Sequence, residues 1–369
     1  MLDQADAIGY LLDRGLLTTR EVVDGHVVVH DLSSRNRNFR VRCPQGRSYF
    51  LKQGFGDDGV ATVAHEARTY RLLSTHRALL RYLPAFYMYD PGEGVLAIEA
   101  VDDARDLREY HRQARRFPIG LAGWVGRMLG TLHRVTALDA NGHGSELDPG
   151  GAPWMTSIHR PHLGVFRDSS SASLDLIRVV QNADDFGALL EQVQAGWRIS
   201  ALLHSDVKWD NLLACRRGGS GRVTGLKVVD WEIAIAGDPA WDVGSAFASY
   251  VSAWLWSIPV TGEHPPERFV ELARHPLTAM QPAIGRCWSE YVDALGVDRR
   301  EAGRRLTRAV DLTAVRLVQT AFEAAQTANR LTSNVALHLQ VAHNMLRRPR
   351  EAAVHLLGIP AWQPPRGSV

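Results

Sequence analysis

The pattern of apolar and polar positions changes about a quarter of the way along the chain. Up to residue 100, short stretches rich in β-branched and aromatic residues alternate with turn-like segments, a pattern typical of strands. The predicted strands are His26–His30, Asn38–Arg42, Ser48–Lys52 and Gly94–Val101. Good helix formers over Val60–Ser74 predict one helix before the last of these strands.

Beyond residue 101 the pattern becomes helical, apart from a strand-like pair around Arg222–Asp230. The predicted helices are Leu121–Val135, Asp184–Gly196, Glu267–Arg274, Met280–Leu295, Arg299–Thr327 and Asn334–Leu357. The serine-rich run Ser169–Ser173 is interpreted as a loop. We therefore predict an α+β fold with two lobes, a small strand-rich lobe over residues 1–100 and a large helical lobe over residues 101–369.

Composition agrees with two lobes and narrows the class of protein. The 369 residues exceed the ~250–300 that one core usually serves, and 45% are hydrophobic. A net charge of +2 is too small to predict a nucleic-acid surface. Three cysteines far apart fit neither a disulfide framework nor a metal site, which favours a reducing, cytoplasmic location. The N-terminus also lacks the pattern of a secretory signal.

One uncharged segment, Val243–Thr261, approaches the length of a membrane span. It contains Gly244, Pro259 and several serines, which weaken that interpretation. A helix buried on all sides has the same composition. We therefore predict a buried helix and no membrane association.

The strongest chemical signal is the run from His204 to Asn211, which matches the H-x-D-x-x-x-x-N pattern of a kinase catalytic loop. An alcohol attacks a phosphate poorly unless it is held in line and relieved of its proton, and Asp206 is placed to accept that proton. Asn211 offers an oxygen ligand to a metal on the phosphates, as Mg²⁺ prefers. The pattern predicts ATP- and Mg²⁺-dependent phosphate transfer.

A second motif follows at Leu226–Asp230, where an apolar strand ends in a carboxylate. Such a strand end would deliver Asp230 rigidly to a metal. A single aspartate in this position is more often a solvated turn residue. Two motifs in this order are harder to obtain by chance, so we predict that Asp206, Asn211 and Asp230 belong to one catalytic site.

The residues after Asp230 carry a family resemblance. Asp230-Trp-Glu232, Gly237-Asp-Pro239 and Trp241-Asp-Val-Gly244 resemble the signature of the aminoglycoside phosphotransferase and choline kinase branch of the kinases. The resemblance implies a kinase fold. It also implies that Asp242 braces the catalytic loop from a buried helix.

The same resemblance assigns roles in the N-terminal half. Lys52 would clamp the α- and β-phosphates of ATP, and Glu66 on the following helix would orient it. The alternative is two unrelated surface charges. Ile98–Val101 resembles the hinge of the family, where the carbonyl of Glu99 and the amide of Val101 would bind adenine. No G-x-G-x-x-G precedes Lys52, so Ser33 and Ser34 are candidates to cap the phosphates instead.

The acceptor is predicted from weaker features. Lys208 follows the predicted base by two residues, as the lysine that meets the γ-phosphate does in serine/threonine kinases, and no dense acidic cluster suits a polycationic aminoglycoside. Tyr10–Leu17, Asp31–Phe39 and Asp206–Asn211 resemble the stand-alone kinases of class V lanthipeptide and thioamitide biosynthesis. That resemblance implies Ser and Thr of a ribosomally made precursor peptide as acceptors, with a separate lyase protein eliminating the phosphate.

Two alternatives stay open. One is a small-molecule kinase, such as an enzyme that inactivates an antibiotic. The other is a pseudokinase that only binds a partner. The complete set of Lys52, Glu66, Asp206, Asn211 and Asp230 argues against the second alternative, because binding alone needs no base.

Overall fold

The computed structural model describes residues 2–138, 149–167, 169–216, 222–259 and 266–360. Its helices are α1 (Asp6–Asp13), α2 (Thr19–Asp24), α3 (Gly56–Ser74), α4 (Leu107–Ala114), α5 (Ile119–Val135), α6 (Leu163–Arg167), α7 (Ser171–Asn182), α8 (Phe186–Ala195), α9 (Ala240–Trp256), α10 (Leu277–Leu295), α11 (Arg299–Ala325), α12 (Ser333–Arg347) and α13 (Pro349–Glu351). Its strands are β1 (Val28–Asp31), β2 (Arg37–Arg42), β3 (Tyr49–Gln53), β4 (Phe86–Asp90), β5 (Val95–Glu99), β6 (Ala104–Asp106), β7 (Ala201–Leu203), β8 (Leu212–Arg216), β9 (Val223–Val228) and β10 (Ile235–Gly237). Short 3₁₀ turns occur at Leu80–Tyr82, Trp154–Ser157, Trp209–Asn211 and Pro266–Leu272, and a π-helical turn follows α13 at Ala352–Leu356.

Contacts between residues divide the chain into two units. The first unit comprises the described residues of 1–113 and 209–234, and the second those of 114–208 and 235–369. The predicted division at residue 100 differs from this grouping, because 101–113 and 209–234 pack with the first unit. The division into two functional lobes stays a prediction, whereas the predicted α+β class is confirmed by a strand-rich N-terminal part and a largely helical C-terminal part.

An antiparallel sheet with strand order β1-β2-β3-β5-β4 organises the first unit. Successive side chains of a strand point to opposite faces. On one face, Phe39 and Val41 of β2 and Leu51 of β3 are fully buried and share a core with Leu11 of α1. The intervening residues of the same strands point to the other face, which carries the cavity described below.

Helix α3 and a second sheet complete the first unit. The buried positions of α3 include Val63, Ala67, Tyr70 and Leu73, which share one face of the helix. Glu66 lies on this same apolar face and is itself buried. The second sheet has the order β6-β8-β9.

Helices dominate the second unit, and glycines allow two of them to pack closely. A Cβ atom at Gly126 of α5 would lie 1.9 Å from the carbonyl oxygen of Cys287 on α10, and one at Gly130 would lie 2.4 Å from that of Tyr291. Real side chains do not tolerate such distances. The two glycines, one turn apart, therefore set the close approach of α5 to α10.

The uncharged segment forms α9, which is buried over nearly its whole length. The predicted buried helix is thus confirmed as far as Trp256, while 260 and 261 lie outside the described residues. Among the residues that the structure describes, no helix is long and apolar enough to cross a membrane.

Local sequence signals such as helix caps and prolines explain some differences between predicted and observed element boundaries. Three predictions were wrong. The segment predicted as a helix over Glu267–Arg274 is a 3₁₀ turn at Pro266–Leu272. The serine run is not a loop throughout, because Ser170 caps α7 by accepting a hydrogen bond from the backbone NH of Ser173. The helix predicted to reach Leu357 breaks before Pro349, since the residue before a proline disfavours the helical conformation.

One half-buried carboxylate on α11, that of Asp311, generates a stability prediction. Burial raises the pKa of Asp311 to about 6, and Arg308, one turn earlier, opposes this only in part. A carboxyl with a raised pKa favours the folded state at low pH and penalises it once pH rises through that value. At pH 7.5 we expect Asp311→Asn to stabilise the protein by on the order of 2 kcal/mol.

Thermal or urea unfolding at pH 7.5 and at pH 4.5 measures this effect. The advantage of Asp311→Asn should shrink at the lower pH, where the native carboxyl is protonated. Asp293→Asn, at an exposed position of α10, is the matched control and should change little. An equal effect of Asp311→Asn at both pH values would contradict the prediction.

Candidate active site

Lys52 lies at the centre of a cluster of charged side chains in the first unit. It lies on β3 and points to the face of the sheet opposite the core. Its ammonium donates hydrogen bonds to three carboxylates: Glu66 Oε2 at 2.8 Å, Asp230 Oδ1 at 3.0 Å and Glu232 Oε2 at 2.8 Å. The predicted pair of Lys52 with Glu66 is therefore present, and the two residues are not unrelated surface charges.

Burial disfavours the charged form of the groups in this cluster. Lys52 is 8% exposed and Glu66 is 2% exposed. Burial alone would lower the pKa of Lys52, but the charges of Glu66 and Asp230 outweigh it and raise that pKa. For the acidic Glu66, burial instead raises the pKa, and the charge of Lys52 opposes this rise. Glu66 also accepts a hydrogen bond from the backbone NH of Trp231 at 3.2 Å, so this carboxylate ties α3 to the segment that carries Asp230.

A cavity of about 590 Å³ opens on the same face of the sheet, a volume typical of sites for small ligands and cofactors. Strand register explains two rows of its wall. Asn38, Lys52 and Leu96 lie side by side on β2, β3 and β5. The adjacent row holds Arg40, Phe50 and Ile98. The cavity therefore has a polar row beside a partly apolar row.

The remaining wall brings predicted site residues together. Glu66, Glu99, Val101, Asn211 and Asp230 all line this cavity with Lys52. Further lining residues are Ala100, Ala104, Asp106, Glu109, Leu213 and Val229. Six positions predicted from sequence thus meet at one cavity of the first unit.

Pairing of β8 with β9 explains how Asn211 and Asp230 become neighbours. Leu212 pairs with Val228 at the end of the ladder, and the backbone NH of Val229 donates to the carbonyl of Asn211 at 3.1 Å. Asp230 follows with φ of +68°. This left-handed conformation is uncommon for a residue other than glycine and occurs at functional sites.

The predicted hinge residues lie at the end of β5 and just after it. Glu99 ends β5, and its backbone NH donates to the carbonyl of Ala85 at 2.8 Å. Its carboxylate accepts from the backbone NH of Ala85 at 2.9 Å and contacts Lys227 at 3.5 Å. Glu99 and Val101 both face the cavity, while their contacts with adenine stay a prediction.

Ser33 and Ser34 are placed differently from the other predicted residues. Both are exposed in the turn between β1 and β2 and are not among the described residues that line the cavity. The Ser33 hydroxyl accepts from the backbone NH of Asn38 at 3.1 Å. Asn38 itself lines the cavity opposite Lys52, and its Oδ1 is buried without a hydrogen-bond partner among the described residues. Sequence analysis missed Asn38, because its place beside Lys52 depends on the register between β2 and β3.

The second unit holds the first part of the catalytic-loop motif. Asp242, fully buried on α9, accepts from the backbone NH groups of His204 at 2.8 Å and Ser205 at 2.9 Å. Trp241 donates its indole NH to the carbonyl of Ser205 at 2.8 Å. Ser205 has φ of +70°. The bracing role predicted for Asp242 is confirmed, and it holds a strained backbone in place.

Two cations hold the carboxylate of Asp206. Arg316 Nη2 donates to Oδ1 at 3.1 Å, and Lys208 donates to Oδ2. Burial alone would raise the pKa of Asp206, but Arg316 and Lys208 outweigh it and hold the pKa below its usual range. Asp206 is therefore ionised at neutral pH. Sequence analysis missed Arg316, since a single arginine in a long helix carries no motif, and it also left Glu232 without a role.

Comparisons with known proteins identify the class. Residues 28–264 match the model of the phosphotransferase enzyme family. This span is more than half of the chain, so the chain belongs to the phosphotransferase enzyme family. The prediction of a phosphate-transferring enzyme is confirmed. A search of curated protein sequences finds no match.

Solved structures agree on the fold. A choline kinase from Cryptosporidium parvum Iowa II is 13% identical over 96% of this chain and 98% of its own, with a TM-score of 0.54. Amicoumacin kinase in complex with AMP-PNP and Ca²⁺ is 13% identical over 91% of this chain and 95% of its own, with a TM-score of 0.51. At these identities the likeness shows the fold alone, and it confirms the predicted kinase-like architecture.

The three carboxylates around Lys52 should differ in their contribution to stability. Removing Glu66 would leave a gap in a buried face and deprive the backbone NH of Trp231 of this acceptor, whereas the more exposed Glu232 is replaced by water. We expect Glu66→Ala to lower the free energy of unfolding by about 3 kcal/mol. Glu232→Ala, with a side chain that is 20% exposed, should cost less than about 1 kcal/mol. Urea unfolding of both variants measures the difference, and equal losses would contradict this ranking.

Proposed function

We propose that this phosphotransferase moves the γ-phosphate of ATP to a hydroxyl group with Mg²⁺ as cofactor, and that the preferred hydroxyls belong to Ser and Thr of a ribosomally synthesised precursor peptide. The observation that carries the nucleotide half is the cavity around Lys52. It combines a buried ammonium, two candidate metal ligands and an apolar wall.

The two rows of the cavity suit the two ends of ATP. Phe50, Ile98 and Leu213 offer apolar surface to adenine, next to Glu99 and Val101 as hinge groups. Lys52, held by Glu66, faces the α- and β-phosphates. The amide of Asn38 lies in the same row as Lys52 and serves the phosphates in place of a glycine-rich loop, with Ser33 and Ser34 as further candidates.

The acidic groups favour a divalent ion. Carboxylate oxygens of Glu66, Asp230 and Glu232 lie within 4.8 Å of one another, and one ammonium leaves three carboxylates with a net negative charge. Oxygen donors of this kind fit Mg²⁺, and Asn211 and Asp230 would hold it. Bound there, the ion would neutralise charge on the phosphates. The amicoumacin kinase structure, which contains AMP-PNP and Ca²⁺, supports a nucleotide with a divalent ion.

Asp206 is the proposed base of the reaction. Its low pKa makes it a weak base in the resting state. This suits phosphate transfer through a loose transition state, in which the hydroxyl proton leaves late. Lys208 is the proposed contact of the γ-phosphate.

Charges near Asp206 bear on the acceptor. Arg316 and Lys208 both contact this carboxylate, so the ammonium groups of a polycationic acceptor would have to compete with them for it. A neutral hydroxyl of a peptide is better suited. A separate lyase that eliminates the phosphate is the proposed partner. The three cysteines are all free, which supports a cytoplasmic location.

Intact-mass measurement with ATP and Mg²⁺ tests the acceptor. One arm offers precursor-type peptides that contain Ser and Thr, and the other offers aminoglycosides and small alcohols. We expect a gain of one or more phosphate masses on peptides only. Asp206→Ala should bind ATP normally and lose most turnover, about 10²–10⁴-fold.

Three other results would each contradict a different part of the proposal. Phosphate gain on a small molecule alone would replace the peptide proposal by antibiotic inactivation or metabolic phosphorylation. Turnover close to wild type in Asp206→Ala would remove Asp206 as the base. No transfer to any acceptor, with ATP bound, would contradict the proposed acceptors.

Nucleotide titrations with and without Mg²⁺ test the metal ligands. Asp230→Ala should weaken binding of ATP in the presence of Mg²⁺ by at least tenfold, while binding without the ion changes less. Asp210→Ala is the control, because Asp210 is paired with Arg108 at the surface. An unchanged Mg²⁺-dependent titration in Asp230→Ala would contradict the role of Asp230.

A further inference from the structure

We propose that Arg316 is a positioning residue for phosphate transfer: it holds one oxygen of the Asp206 carboxylate so that the other oxygen can receive the acceptor proton. This inference rests on the proposed role of Asp206 as the base. It adds a residue from the C-terminal helices, far from the catalytic-loop motif in sequence.

The burial of Arg316 is the first observation. It is 5% exposed and stands on α11 among buried residues such as Leu312, Val315 and Val318. A guanidinium in such a place is costly unless it is paired and hydrogen-bonded. Its shortest ion pair, at 3.1 Å, is with Asp206 Oδ1, while Glu323 lies at 3.6 Å and is half exposed.

The second observation is the division of the carboxylate between two unlike cations. Arg316 holds Oδ1 and Lys208 holds Oδ2. The Lys208 side chain is 39% exposed on a flexible stem, whereas that of Arg316 is 7% exposed and fixed within α11. Lys208 is therefore the cation that can leave Asp206 for a phosphate, and Oδ2 is the oxygen that becomes available.

The proposed phosphate transfer uses the two carboxylate oxygens differently. The acceptor oxygen forms a bond to the γ-phosphorus as the bond from that phosphorus to the bridging oxygen breaks, and ADP leaves. The acceptor O–H bond breaks, and its proton passes to Oδ2 of Asp206. Throughout, Arg316 keeps the carboxylate plane fixed through Oδ1. His204, whose ring Nδ1 accepts from the backbone NH of Asp206, is the other ionisable group facing this residue from its own loop.

A planar guanidinium differs from a lysine ammonium in shape and reach, and this difference provides the test. Misplacing a catalytic group by about 1 Å costs on the order of 100-fold in rate. We expect Arg316→Ala to lower kcat about 100-fold while the KM for ATP stays within about twofold. Arg316→Lys should recover part of the rate, and millimolar guanidinium chloride should rescue Arg316→Ala. The readouts are transfer to the acceptor found by mass and phosphate release from ATP to water.

Controls separate this role from folding and from failure of the base assignment. Arg304→Ala, on an exposed turn of α11 and paired with Glu301, should retain kcat and show no guanidinium effect. Asp206→Asn is measured in parallel. If Asp206→Asn keeps its rate, the base assignment fails whatever Arg316 does. If Asp206→Asn is inactive while Arg316→Ala keeps its rate, only the role of Arg316 is overturned.

A purely structural role would give a different result. Arg316→Ala would then lose stability and rate together, and guanidinium would restore neither selectively. Should Arg316→Ala fail to fold, Arg316→Lys decides the question, since it keeps the buried charge. A reduced kcat with a melting temperature near that of the wild type supports the proposal, and an unchanged kcat overturns it.

Discussion

The ion pair between Lys52 and Glu66 is the interaction on which the first unit depends. Both charges are deeply buried, and each offsets part of the desolvation penalty of the other, with Asp230 and Glu232 as further partners of Lys52. The pair therefore fixes the distance between β3 and α3 at a single point. Since Glu66 also accepts from the backbone of Trp231, the same pair fixes the segment that ends in Asp230. A cavity wall, a cation and a candidate metal ligand are positioned by one buried carboxylate.

A buried carboxylate also organises the second unit. There a buried carboxylate, Asp242, collects backbone NH groups and fixes the loop that carries Asp206. The loop pays for this with a left-handed conformation at Ser205, which is tolerated because Asp242 and Trp241 hold both sides of it. In each unit, a residue in a sparsely populated backbone conformation lies beside a motif that the sequence had marked as chemical. Buried hydrogen bonds, more than apolar packing, determine the geometry at these places.

The parts of the site that were predicted from sequence are those with local or motif signals. Lys52 was assigned from its place at the end of a predicted strand together with the family resemblance, and Asp230 from the apolar strand that it follows. Asn38 shares the row of Lys52, but its importance depends on strand register, which sequence patterning does not give. Arg316 was missed because helix periodicity predicts that its position is buried and says nothing about a distant carboxylate. The error at Ser170 has a similar cause, since serine favours turns and helix caps alike.

The charged groups around Lys52 and those around Asp206 are balanced differently. Around Lys52, three carboxylates face one ammonium, so a divalent ion bound beside them would offset both their charge and that of a nucleotide's phosphates. Around Asp206, the positive charges of Arg316 and Lys208 are matched by Asp206 itself and by Glu323, which pairs with Arg316 at 3.6 Å. An acceptor with several ammonium groups would therefore have to compete with Arg316 and Lys208 for the Asp206 carboxylate, whereas a neutral hydroxyl meets no such competition. On the proposal that this carboxylate is the base, the proton passes to the oxygen held by Lys208, whose side chain is 39% exposed, while the buried Arg316 keeps the other oxygen in place.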